Sequence, residues 1–176
     1  MKVIYNGGPD VKGFKDAFSV LIPEMLEADP NLIYLDADLM SCLGTAKYAR
    51  THTDRCINVG IAEADMIGIA AGLAAAGFNP ICHSFGPFAS RRCFDQVFMS
   101  AAYAKNDMTI IGTDPGVTAA MNGGTHMPFE DVALYRAIPG ATVIDAADTA
   151  QLADIFPKLV KRPGVKYIRK IGRAHV

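Results

Sequence analysis

The stretch NVGIAEADMIGIAAGLAAAGF, residues 58 to 78, decides how this chain is read. A short apolar run ends at Gly60, one carboxylate follows at Glu63, and a segment made almost wholly of Ala, Gly, Ile and Met comes behind it. The pattern is a strand, a turn and a small, apolar helix with Glu63 at its mouth. A carboxylate in the first turn is stabilised by the helix dipole by roughly 0.3–1 kcal/mol. That is reason enough for an acid at this position, without any chemistry. The helix itself, residues 63–76, has Ala/Gly-rich faces that would expose apolar area in a monomer, and such faces usually mark an interface. A twofold pairing of identical helices would cover it.

Outward from this stretch the pattern alternates. Short apolar runs stand at 31–39 (NLIYLDADL), 55–60, 80–85 (PICHSF), 108–113 (MTIIGT), 141–146 and 165–170. Helical periodicity fills the gaps at FKDAFSVLIPEMLEAD (14–29), PFASRRCFDQVFMSAAYAK (87–105) and TAQLADIFPKLVK (149–161), although Pro23 should kink or interrupt the first. Strands alternating with helices predict an α/β fold with a mostly parallel sheet and helices on both faces. Runs that are apolar throughout fit a sheet covered on both sides. The length of 176 residues suits one domain, residues 1–176.

The net charge is −1, with 17 basic and 18 acidic residues, so there is no electrostatic case for nucleic acid or an anionic membrane. The cysteines Cys42, Cys56, Cys82 and Cys93 have no metal-finger or disulfide-framework spacing and lie in apolar or small-residue settings. No metal site is expected from His and Cys spacing. The absence of a signal-like or membrane-spanning run leads to the expectation of a reduced, cytoplasmic protein. Neither GGPD (7–10) nor NGG (122–124) is a nucleotide fingerprint.

In parallel sheets ligands sit beyond the carboxyl ends of the strands. The residues there are Asp36 and Asp38, Glu63, Phe85 and Phe88, Asp114, and the loop AAMNGGTHMPFED (119–131). Each also has an ordinary structural reading. Asp36 and Asp38 suit strand-end caps, Phe85 and Phe88 suit a core, His126 suits a loop, NGG suits a turn, and His83 suits a core histidine bonded within an apolar strand.

In order, however, NVGIAEADMIGIAAGLAAAGFNP (58–80), SFGPFASRRCFDQV (84–97) and GGTHMPFEDVALYRAIPG (123–140) resemble the pyrimidine-binding domain of thiamine-diphosphate-dependent transketolases. They are most similar to the separate C-terminal subunit of split transketolases. The resemblance runs from about residue 12 to 170. It implies that Glu63 is the cofactor-activating glutamate, hydrogen-bonded to the aminopyrimidine and favouring the imino tautomer that removes the thiazolium C2 proton. Such a carboxyl wants a dry setting. The resemblance also implies that Phe85 and Phe88 pack around the pyrimidine, Phe88 by stacking, and that Asp38 and Leu39 lie near the cofactor. His126, Asn122, Asp114, Lys15 and Arg91 fall at substrate positions. Arg91 stands where the family often has a third aromatic. Asn122 and Asp114 depart from the usual aspartate and histidine, which bears on sugar specificity.

The activity implied is transfer of a two-carbon ketol unit between sugar phosphates. Close alternatives are a 2-oxoacid dehydrogenase β-type or other thiamine-diphosphate enzyme subunit and a non-catalytic interaction domain of the same fold. The family holds the diphosphate and Mg²⁺ through a GDG…N motif on another domain, and nothing like it occurs here. An N-terminal diphosphate-binding subunit is therefore an expected partner, beside a homodimer through helix 63–76. The family's third domain is expected to be missing, and IGRAHV (171–176) does not continue as a member would.

Overall fold

The computed structural model describes residues 13–170. GGPD and IGRAHV lie outside the described residues. One six-stranded sheet organises the described residues: β1 Leu32–Asp36, β2 Cys56–Asn58, β3 Asn79–Phe85, β4 Met108–Thr113, β5 Thr142–Asp145 and β6 Val165–Lys170. Its order is β2-β1-β3-β4-β6-β5, and every pairing is parallel.

The continuous apolar runs are explained by burial on both sides. Along β1, Leu32 and Tyr34 face one core, and Ile33 and Leu35 the other. The first core is closed by α1 (Phe14–Ala28) and α7 (Thr149–Val160), where Phe18 meets Phe156 edge-on at 5.2 Å. The second is closed by α4 (Glu63–Ala75), the segment 94–103 and α6 (Asp131–Arg136), through Met66, Ile67, Ala70, Val97, Ala101 and Tyr135. Fully burying one side chain of Leu, Ile or Phe size contributes roughly 1.5–3 kcal/mol, so the two layers dominate the fold's stability.

Two expectations are settled locally. Of a kink or an interruption at Pro23, interruption does not occur, since α1 runs as one helix from Phe14 to Ala28. Phe18, Ile22 and Leu26 are fully buried on either side, and this packing outweighs the hydrogen bond that proline removes. The stretch 87–105 is not one α-helix. It turns at 86–90, tightens into a 3₁₀ turn at Arg91–Cys93, passes one short α-turn (α5, Phe94–Gln96) and widens to a π-helix at Val97–Tyr103. Two short helices, α2 (Met40–Leu43) and α3 (Ala46–Ala49), follow β1.

From β1 the chain moves out to β2, then crosses back over β1 to β3 and on to β4. The connections therefore leave β1 and β3 in opposite directions. A crevice opens at such a switch point, beyond the carboxyl ends. Asp36, Phe85 and the start of α4 are gathered there.

Candidate active site

Glu63 is the first residue of α4 and is 2% exposed. Burying a carboxylate needs partners, and Glu63 has two. Ser84 Oγ donates to Oε1 at 2.8 Å, and Arg92 Nη1 donates to Oε2 at 2.9 Å. A solvated dipole acid would need neither. The neighbouring Cys93 thiol is pushed up to about 12 by burial, with the Glu63 charge adding to the shift.

The aromatic pair forms beside it. Phe85 and Phe88 meet edge-on at 6.3 Å between centroids. His126 completes a triangle, edge-on to Phe85 at 5.5 Å and to Phe88 at 5.0 Å. The loop carrying His126 comes this close because residue 86 is glycine: a Cβ there would lie 2.8 Å from Pro128 Cγ. Arg91 ties the same loop, donating to Glu130 Oε1 at 2.6 Å and to Thr125 O at 3.0 Å. Burial raises the Glu130 carboxyl, but the Phe129 N–H and Arg91 outweigh that and hold it below its usual range. Arg91 is thus committed to the loop, not presented as a free substrate ligand.

Asp38 and Leu39 occupy a tight turn after β1. Asp38 has φ of +64°, a left-handed conformation that aspartate tolerates, and exchanges two hydrogen bonds with Asn58. Leu39 N–H donates to Asp36 Oδ1. Asp36 is fully buried and also takes the Tyr34 hydroxyl at 2.5 Å, while His83 Nδ1 lies 2.6 Å from its Oδ2. Burial, with the Asp36 charge adding, raises the Tyr34 phenol well above its ordinary value. His83 is a core histidine as expected, but its Nε2 has no hydrogen-bond partner among the described residues. Asp36 is more than a strand-end cap, since it fixes the turn that presents Asp38 and Leu39.

The other substrate candidates scatter. Asp114 follows β4 with φ of +55°, Asn122 is exposed in its 3₁₀ turn, and Lys15 lies exposed on α1 with its backbone carbonyl close to Gly44. Among the described residues none forms a hydrogen bond or ion pair with Glu63, Phe85, Phe88 or His126. Arg92 was not anticipated. Besides its bond to Glu63, its guanidinium lies 3.7 Å from the Phe88 ring centroid. Nothing in an Arg-Arg pair says which member points inward; only the F-x-x-F run just before it marks the place. Asp131, also missed, is a fully buried anchor. It accepts from Tyr167 Oη at 2.8 Å and from Arg169 Nε at 2.9 Å and Nη2 at 3.1 Å, and so fastens the loop's far end to β6. Of the four cysteines three are buried, and Cys42 is exposed. Among the described residues no cluster of His, Cys, Asp and Glu could hold a metal, and no helix is long and apolar enough to cross a membrane.

Known proteins with this architecture are close enough to name. A subunit called 6-deoxy-6-sulfo-D-fructose transketolase subunit SqwH, from Clostridium sp. (strain MSTE9), is 47% identical over 162 residues, covering 92% of this chain and 50% of its own. A putative transketolase C-terminal section from Methanocaldococcus jannaschii is 35% identical, covering 90% and 50%. The solved structure described as "Split gene transketolase, inactive beta4 tetramer" superposes with a TM-score of 0.79 at 33% identity, covering 93% of this chain and 53% of that one. The chain spans about half the length of these relatives. The family model for the transketolase pyrimidine binding domain matches residues 12–170, and the chain belongs to that family.

Proposed function

We propose that this chain supplies the activating carboxylate and the aminopyrimidine pocket of a transketolase assembled with a diphosphate-binding subunit. The carrying observation is Glu63, a buried carboxylate bonded to Ser84 at the carboxyl end of β3 and within one side chain's reach of the Phe88 ring face. The donor set fits an aminopyrimidine. A buried carboxyl can share a proton with a ring nitrogen, Phe88 offers a flat face, and Phe85 and His126 close its edges. When bound, thiamine diphosphate would supply a carbon nucleophile able to carry a two-carbon ketol unit.

The residues of this chain then have distinct tasks. Ser84 orients Glu63. Leu39, set by Asp36, supports the bent cofactor from the β1 side, with Asp38 beside it. His126 sits at the mouth, placed to meet substrate hydroxyls, with Asn122, Asp114 and Lys15 toward the sugar. Mg²⁺ and the diphosphate belong to the partner subunit. The outer side of α4, where Gly68, Ile69 and Gly72 are exposed, is the proposed homodimer face.

The test is reconstitution. Purified chain should self-associate in light scattering, bind thiamine diphosphate with Mg²⁺ poorly, and transfer no ketol unit. Adding the diphosphate-binding subunit should restore both binding and transfer. Because one relative's name cites a sulfonated ketose, the donors assayed should include 6-deoxy-6-sulfofructose beside ketose phosphates. Tight cofactor binding by the isolated chain would overturn the two-subunit reading.

A further inference from the structure

Arg92 satisfies Glu63 and Phe88 together. Nη1 donates to Glu63 Oε2 at 2.9 Å, and the guanidinium carbon lies 3.7 Å from the Phe88 centroid. One planar cation thus places a donor on the buried carboxylate and a flat face on the ring. Carbon atoms in contact sit about 3.5–4.0 Å apart, so no second flat group fits between the guanidinium and Phe88. A ring that stacks on that face while hydrogen-bonding to Glu63 needs the same space.

The two neighbouring arginines are not equivalent. Arg91 is held by Glu130 and Thr125. Among the described residues the one hydrogen-bonding partner of the Arg92 side chain is Glu63. The Arg92 side chain is 43% exposed, against 1% for Glu63. The cation can swing into water on its flexible stem, whereas the carboxylate must stay buried.

We infer, building on the function proposed above, that Arg92 is a positioning residue that holds the place of the aminopyrimidine. It covers Phe88 and pairs Glu63 while no cofactor is bound, then swings toward solvent as the ring enters. The arrangement spares the chain an unpaired buried carboxylate, and it weakens apparent cofactor affinity by the fraction of molecules in which the pocket is open. A pocket latched in nine of ten molecules binds about tenfold more weakly than an open one.

The experiment uses the complete assembly, chain plus diphosphate-binding subunit, titrated calorimetrically with thiamine diphosphate and Mg²⁺. Arg92→Gln keeps a donor for Glu63 but removes the stacked cation. It should bind cofactor about tenfold more tightly, while the cofactor-free assembly melts at lower temperature. Unchanged or weaker affinity overturns the latch. If Arg92→Gln does not fold, Arg92→Lys serves in its place, since it keeps the charge and loses the flat face. It should bind more tightly by a smaller factor, and no gain overturns the proposal. Phe88→Ala separates the two claims. Lost binding in Phe88→Ala with no gain in the Arg92 variants leaves the pocket standing and removes the latch. Wild-type binding in Phe88→Ala removes the aminopyrimidine reading and the latch with it.

Discussion

Gly86 and Pro128 touch so closely that a side chain at position 86 would strike the loop: an added Cβ would lie 2.8 Å from Pro128 Cγ and 3.2 Å from Thr113 O. This contact holds His126 against Phe85 and Phe88. Gly86→Ala should therefore displace the loop. Overpacking of this kind typically costs about 1–3 kcal/mol, and ketol transfer in the assembly should fall with it. Urea unfolding and a transfer assay on one preparation read both effects. Full activity at wild-type stability would mean that the loop has another seat.

His126→Ala should impair sugar turnover more than cofactor binding. Its ring packs edge-on against both phenylalanines, and such a contact is worth about 0.5–1.5 kcal/mol. With two such contacts, cofactor affinity should thus weaken by no more than about a hundredfold. Separate titration of cofactor and donor sugar distinguishes the two. Lost cofactor binding with normal handling of sugar would move His126 out of the substrate role.

Asp131→Ala should be among the most damaging substitutions away from Glu63. It strands Arg169, which is left with Asp145, and the buried Tyr167 hydroxyl. Removing one partner of a buried ion pair costs about 3–5 kcal/mol. The midpoint of urea denaturation reads the loss directly, and a shift worth less than 1 kcal/mol would contradict the anchoring role.

The Arg91–Glu130 tie makes a pH prediction. The Glu130 carboxyl is held below its ordinary value of 4.5 in the folded chain. Its contribution is therefore present above that pH and is lost as pH falls through the lower folded value. Both side chains are well exposed, so the tie is worth about 1 kcal/mol at most. Arg91→Gln should be slightly less stable than wild type at neutral pH, and the gap should close in strong acid. A gap independent of pH would point to lost packing instead.

The sheet was legible in the sequence because its strands are buried on both sides and so read as unbroken apolar runs. The GIAE, F-x-x-F and THMP segments were legible because a parallel sheet delivers strand ends to one edge. Register was not. Asp36 and His83 lie 47 residues apart and meet only because β1 and β3 pair in parallel with those residues opposite. Arg91 and Arg92 look alike in sequence, and the 3₁₀ turn that carries them sends one to the loop and the other to Glu63. Asp131 looked like one more loop acid; its anchoring role depends on Tyr167 and Arg169 arriving from β6. Pro23 marked a kink or a break, and buried neighbours on α1 override the break.

In the function proposed above, Glu63 activates the cofactor. The most direct measurement of that role is the rate at which the hydrogen on the reactive thiazolium carbon exchanges with solvent when thiamine diphosphate is bound to the assembled enzyme. Glutamine keeps the shape of Glu63 but cannot share an acidic proton with the pyrimidine nitrogen. Glu63→Gln should leave the fold intact and slow exchange by roughly 10²–10⁴-fold, the usual worth of general acid–base help. Exchange at the wild-type rate in that variant, with cofactor bound, would contradict the account.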